Sequence, residues 1–228
     1  MDTESLRITV VLFEGFELLD VFGPVQLLQA VPDVAVVFAG PDGGPVASSQ
    51  GVEMVPTISY GQIESADALL VPGGKGTRKL VEDESFLSWL CEVGAQAPVV
   101  ASVCTGSAVL AAAGLLEGYA ATSNKRAFSW VTSFGGDVSW QPEARWVHDR
   151  NRWTSSGVAA GMDMTVALMA HLVSDSAAID ASNFAEYEPH RDSGWDPFAR
   201  INGLVPASGD ETERGDVTFG QSGDAHGR

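Results

Sequence analysis

Four short runs of almost unbroken apolar, β-branched character recur through the first hundred or so residues: "RITVVLF" (7–13), "DVAVVFA" (33–39), "DALLVPGG" (67–74) and "APVVASV" (97–103). A strand with one face in water alternates apolar and polar side chains, whereas a strand covered on both faces has no need to. These runs therefore predict parallel strands in the middle of a sheet. Covering both faces requires helices between the strands, and the intervening sequence supplies them. "PVQLLQAV" (24–31) starts on a proline suited to a first helical turn, and "KLVEDESFLSWLCEVGAQ" (79–96) spaces Leu80, Phe86, Leu87, Leu90 and Val93 along one helical face. Later come a short "AATS" strand (120–123), a hairpin-like "ARWVHDRNRWTSSG" (144–157) and a helix "AGMDMTVALMAHLVSD" (160–175). The alternation predicts an α/β fold: a doubly wound, mostly parallel sheet with helices on both faces.

At 228 residues the chain can bury one large α/β core, expected over residues 1–204. The stretch 205–228, "VPASGDETERGDVTFGQSGDAHGR", is rich in Gly, Ser and charge and is expected to be a disordered acidic tail. Apolar runs such as 108–113 fall well short of the ~20 residues that span a bilayer. The opening "MDTESLRITVVLF" is acidic where a signal peptide is basic, so no membrane association and a cytoplasmic location are expected. Cys91 and Cys104 are the only cysteines and the four histidines are scattered, a pattern that suits neither a disulfide framework nor a zinc site. No metal and no cofactor are expected. With 30 acidic residues against 13 basic ones, the net charge of −17 repels phosphate backbones and excludes nucleic acid as a partner. So acidic and lysine-poor a surface is expected of a chain that works at high salt.

In a doubly wound sheet, ligands sit beyond the carboxyl ends of the strands. Three features fall there. Cys104 follows the fourth run directly, and Thr105, Gly106 and Ser107 open a helix with no room for a loop. So tight a strand-to-helix turn holds its central residue strained and exposed, as in a nucleophile elbow, and the helix N-terminus favours a thiolate of lowered pKa. A buried, inert cysteine is the competing reading of Cys104, and it fits Cys91, inside a helix pattern, much better. Gly73 and Gly74 follow the third run and can present backbone N–H groups to a reaction centre near Cys104, or simply make a turn. After the first run, "LFEGFELLDVFGP" (12–24) sets Glu14, Glu17 and Asp20 among large apolar residues. A carboxyl desolvated there has a raised pKa and can move protons; the plainer reading makes Asp20 a turn cap before Pro24, with Glu14 and Glu17 solvated. Trp130, Trp140, Trp146 and Trp153 read as packing residues.

"SVCTGSAVLAAAGLL", "VPGG" and "LFEGFELLDVFGP", with "EGYAATSNKRAFSWV" and "RWTSSGVAAGMDMTVAL" in order behind them, resemble the ThiJ/PfpI family of the class I glutamine amidotransferase-like superfamily over roughly residues 6–190. The resemblance implies a flavodoxin-like fold, Cys104 as nucleophile, Asp20 as its acid/base partner, and Gly73, Gly74 and the Thr105 N–H near the reaction centre. It also implies a homodimer acting on a small-molecule electrophile. Within the family the pattern is most similar to isonitrile hydratase and its relatives, which implies addition of water to an isonitrile through a Cys104 thioimidate. Many members carry a histidine where this chain has Asn124, which with Ser123 is a candidate pocket residue; the histidine that often follows the nucleophile is here Thr105. None of His148, His171, His190 or His226 is an obvious substitute. Both departures weigh against glyoxalase-, deglycase- and peptidase-like chemistry. The alternatives that stay open are a hydrolase of that kind and a non-catalytic ligand or redox sensor of the same fold.

Overall fold

The computed structural model describes residues 5–206. Its centre is a seven-stranded sheet in the order Trp146–Asp149, Arg152–Ser155, Val99–Ser102, Ala68–Val71, Leu6–Val11, Val34–Gly40 and Ile58–Ser59. Every neighbouring pair is parallel except the Trp146–Asp149/Arg152–Ser155 hairpin at one edge. The four runs singled out in the sequence are the four central strands. Ala68–Val71 and Val99–Ser102 are buried along their whole length, which is why their side chains need no alternation.

Helix Leu18–Leu28 packs against Ala160–Leu172, and Glu84–Gln96 packs against Gly106–Ala112, so the sheet is covered from both sides. From Leu6–Val11 the sheet grows one way to Val34–Gly40 and the other way to Ala68–Val71. That reversal places a crevice beyond the carboxyl ends of Val11 and Val71, next to the end of Val99–Ser102. The architecture is the flavodoxin-like, doubly wound α/β fold that the alternation of elements predicts.

Several local expectations need correction. The helix expected at 24–31 runs instead over Leu18–Leu28, with Pro24 inside it. Its inward stripe is Asp20, Val21, Pro24, Leu27 and Leu28, spaced by three and four residues, so burial of that face outweighs the proline penalty. The span 79–96 is two helices, Thr77–Leu80 and Glu84–Gln96, because Asp83 caps the second by accepting from Ser85 N (3.1 Å) and Phe86 N (3.0 Å). On that second helix Phe86, Leu90 and Gly94 face inward at intervals of four; Cys91 is one position off the stripe and is exposed, not buried. The last expected helix ends at Leu172, and Ser174 caps a further one, Asp175–Phe184, which no pattern in the sequence announced. Ala120–Ala121 pairs with Ser139–Trp140 outside the main sheet. Of the tryptophans, Trp146 and Trp153 are core residues. The expected tail lies outside the described residues from 207 onward.

The crossing of the Gly106–Ala112 helix over the sheet is set by Gly106. A Cβ at this position would overlap the carbonyl oxygen of Val71 and stand 2.8 Å from that of Pro72. Backbone cannot yield as a flexible side chain can. Gly106→Ala is therefore expected to destabilise the fold by about 3 kcal/mol, read as a lowered urea midpoint at unchanged m-value; a midpoint within experimental error of wild type would overturn this packing argument.

Candidate active site

Four segments converge at the crevice. The strand Val99–Ser102 passes through Val103 into Cys104, and the helix Gly106–Ala112 begins two residues later. Cys104 has φ of +58°, a left-handed conformation that costs a non-glycine residue about 1–3 kcal/mol unless its surroundings impose it. The surroundings do so through the backbone: Cys104 N–H donates to Ser156 O (3.2 Å), while Ser107 Oγ (3.1 Å) and Ser123 Oγ (2.9 Å) both donate to Cys104 O. Ser123 thus holds the elbow in place and is itself buried. The strained turn expected of "SVCTGS" is present.

The exposure expected of the thiol is absent. Cys104 is 7% exposed, and its pKa is pushed well above the ordinary thiol value. Burial is the main cause and the Asp20 charge the second, while the Thr105 and Val158 N–H groups, which donate to the sulfur, oppose them. The lowered pKa expected from the helix N-terminus is therefore overturned, because desolvation of the buried thiol outweighs the dipole.

Asp20 sits in the first turn of Leu18–Leu28 and is fully buried, with 0% exposure. Its side chain caps nothing in its own helix. Instead its Oδ2 accepts from Gly73 N (2.9 Å), and the Cys104 thiol lies against it as a weak donor. Oδ1 is buried without a partner of full hydrogen-bond geometry among the described residues. Burial raises the Asp20 pKa from the ordinary 3.8 to about 7, helped by the Glu17 charge and opposed by Gly73 N–H and the Cys104 thiol. The expectation of a desolvated, protonatable carboxyl is met by geometry.

Gly73 lets acid and thiol approach. A Cβ on it would stand 2.6 Å from Thr105 N and 2.8 Å from both Asp20 Oδ2 and Cys104 Cβ, so any side chain would wedge the pair apart. Gly73 and Gly74 lie where the sequence places them, but their N–H groups do not face an open site. Gly73 N–H is given to Asp20, and Gly74 N–H to Thr105 Oγ1 (3.1 Å). Thr105 Oγ1 also accepts from Thr77 Oγ1 (3.2 Å), which links the elbow to the helix after Gly74. Thr105→Val keeps the shape and leaves the Gly74 N–H unpaired; chemical denaturation is expected to show a loss of about 1–3 kcal/mol, and no loss would mean that water replaces the hydroxyl.

Asn124 accepts from Ala127 N (3.0 Å) through Oδ1, and its Nδ2 lies over the α-carbon of Gly157. Lys125, beside it, is buried, and its Nζ donates to Thr122 Oγ1 (2.7 Å) and Ala144 O (2.5 Å). Val158 is the residue that sequence reasoning missed. It adopts φ of +35° just after Gly157 and directs its N–H at the Cys104 sulfur. No sequence rule marks a β-branched residue for that conformation, and only the neighbouring "SSG" hints at a turn.

A strained cysteine at the carboxyl edge of a doubly wound parallel sheet, backed by a buried acid, defines the flavodoxin-like class that contains the glutamine amidotransferase-like proteins. The family model "DJ-1/PfpI family" matches residues 6–171, and the chain belongs to that family. Isonitrile hydratase from Pseudomonas putida is 37% identical over 185 residues, covering 81% of this chain and 80% of that protein. The HTH-type transcriptional regulator GbdR from Pseudomonas aeruginosa is 32% identical over 171 residues, covering 70% of this chain but 45% of the regulator. Among solved structures, a ThiJ/PfpI family protein from Pseudomonas syringae superposes with a TM-score of 0.75 at 34% identity, covering 82% of this chain and 76% of that one. No helix among the described residues is long and apolar enough to cross a membrane.

Proposed function

We propose that the protein is a cysteine-dependent hydratase that adds water to an isonitrile and releases an N-substituted formamide. One observation carries the reading: the Cys104 thiol lies against a buried carboxyl whose pKa is about 7, with Gly73 keeping the space between them clear. Similarity to the isonitrile hydratase of Pseudomonas putida supports the choice of substrate class.

The chemistry balances with these two groups alone. Asp20, as carboxylate, takes the thiol proton while the sulfur attacks the terminal isonitrile carbon, so no free thiolate needs to stand in the buried site. The proton then passes from Asp20 to that same carbon, giving a thioimidate, R–N=CH–S–Cys104. Water adds to the C=N carbon, the C–S bond breaks, sulfur regains a proton, and R–NH–CHO leaves. The reading is tested by following formamide release from a simple alkyl isocyanide; no release above the uncatalysed rate overturns it.

The similarity to a transcription regulator over 70% of this chain favours one other reading, a ligand sensor of the same fold. In that case an isonitrile or other small electrophile would shift the thermal midpoint without being consumed.

A further inference from the structure

The elbow continues outward through a short chain of hydroxyls. Thr105, next to Cys104, accepts through Oγ1 from Thr77 Oγ1 (3.2 Å), and Thr77 Oγ1 in turn accepts from Arg78 Nη1 (3.2 Å). Arg78 is exposed, and its guanidinium carbon lies 3.4 Å over the indole ring of Trp130. Trp130 belongs to the helix Phe128–Val131, which follows Asn124, and is braced edge-on by Phe134 at 5.0 Å between ring centroids. The guanidinium is thus tied to the elbow through Thr77 and Thr105 and stacked on Trp130.

The placement matters for two reasons. First, the guanidinium charge is not spent on a carboxylate among the described residues. Among the described residues the ion pairs are made by Arg145 and Arg150, and no carboxylate lies within ion-pair distance of Arg78. Second, a guanidinium stacked through its face turns its N–H groups outward in its own plane; Nη1 gives one to Thr77 Oγ1, and the Nε–Nη2 side is the fork that can hold a carboxylate in bidentate fashion. Burial lowers the Arg78 pKa, and Cys104 opposes that shift. The anionic groups that also act at the thiol are Asp20 and Glu17, and Glu17 is engaged by Gln50 Nε2.

We propose that Arg78, held on the face of Trp130 beside the Cys104 elbow, is an anion-recognition residue that selects electrophiles carrying a carboxylate. This deepens the hydratase reading, and rests on it for the substrate class: the isonitrile would be one whose substituent ends in a carboxylate within reach of the guanidinium.

Two arms separate the fate of this inference from that of the hydratase reading. In a Cys91→Ser background, Cys104 is alkylated with iodoacetate and with iodoacetamide, and the two rate constants are followed by mass spectrometry. Both reagents meet the same thiol, so any effect of Arg78 on its ionisation cancels in their ratio. The iodoacetate-to-iodoacetamide ratio is expected to fall about tenfold in Arg78→Gln, as for loss of one charge-assisted contact, to recover in part in Arg78→Lys, and to shrink in wild type at high salt. An unchanged ratio in Arg78→Gln overturns the proposal. In the second arm, kcat/KM for isocyanoacetate is compared with that for its methyl ester. Preference for the acid, lost in Arg78→Gln, supports the proposal; equal use of both by wild type overturns the substrate class. Turnover of neither overturns the hydratase reading, while the alkylation ratio still decides whether Arg78 recognises anions.

Discussion

Cys104→Ala is expected to lower formamide release from an alkyl isocyanide by a factor on the order of 10⁴ or more, as when the nucleophile of a covalent mechanism is removed. The expected loss is large because every bond change passes through the sulfur, and no second nucleophile stands by it: Ser107 and Ser123 spend their hydroxyls on the Cys104 carbonyl. Cys104→Ser should be nearly as slow, since a hydroxyl is a far weaker acid than a thiol and Asp20 with pKa about 7 is a poor base for it. The alanine variant should fold, because it removes one sulfur atom from a buried site and keeps a residue at the φ of +58°. Release by Cys104→Ala at a rate near wild type would mean that the thiol is a bystander and that water attacks the isonitrile directly.

Asp20→Asn is expected to cost a factor of about 10²–10⁴ in kcat/KM while making the protein more stable at alkaline pH. The two effects have one origin. The folded-state pKa of Asp20, about 7, lies above its ordinary 3.8, so the folded protein holds the proton more tightly than the unfolded chain. That contribution to stability is fully present below pH 3.8 and is lost as pH rises to about 7. At pH 8 the buried carboxylate therefore costs on the order of 4 kcal/mol relative to a neutral group, an upper figure for a fully buried side chain. Asparagine carries no charge at any pH and can still accept from Gly73 N–H. The difference in thermal midpoint between variant and wild type should accordingly be small at pH 4 and grow in favour of the variant up to pH 8. Activity should move the other way: wild-type kcat/KM rises through about pH 7 as Asp20 becomes able to take the thiol proton, and the variant lacks that step. A variant within threefold of wild-type activity would remove Asp20 from the reaction, whatever it does for stability.

Cys104 and Asp20 were legible to different degrees. The elbow is a local event, in which an apolar strand, a cysteine and a run of small residues adjoin in sequence, so its geometry follows from neighbours within a few positions. Gly73 could be flagged by its place after a strand, but its task could not: the clash that forbids a side chain involves Asp20, 53 positions away, and Cys104. Arg78 and Val158 carried no signal at all. Their importance comes from lying beside the thiol, through the Thr105–Thr77 hydroxyls in one case and a strained turn in the other.

By itself the sequence determined the sheet, because strands buried on both faces must be apolar on both faces, and it determined that a thiol stands where that sheet meets a helix. Only the tertiary structure decided the electrostatics. Desolvation depends on how many atoms from distant segments exclude water, and it turns the lowered cysteine pKa expected from a helix N-terminus into a raised one while bringing Asp20 to about 7. It also decided which face of Leu18–Leu28 turns inward, and so set an acid that reads as a turn cap beside Gly73 and Cys104.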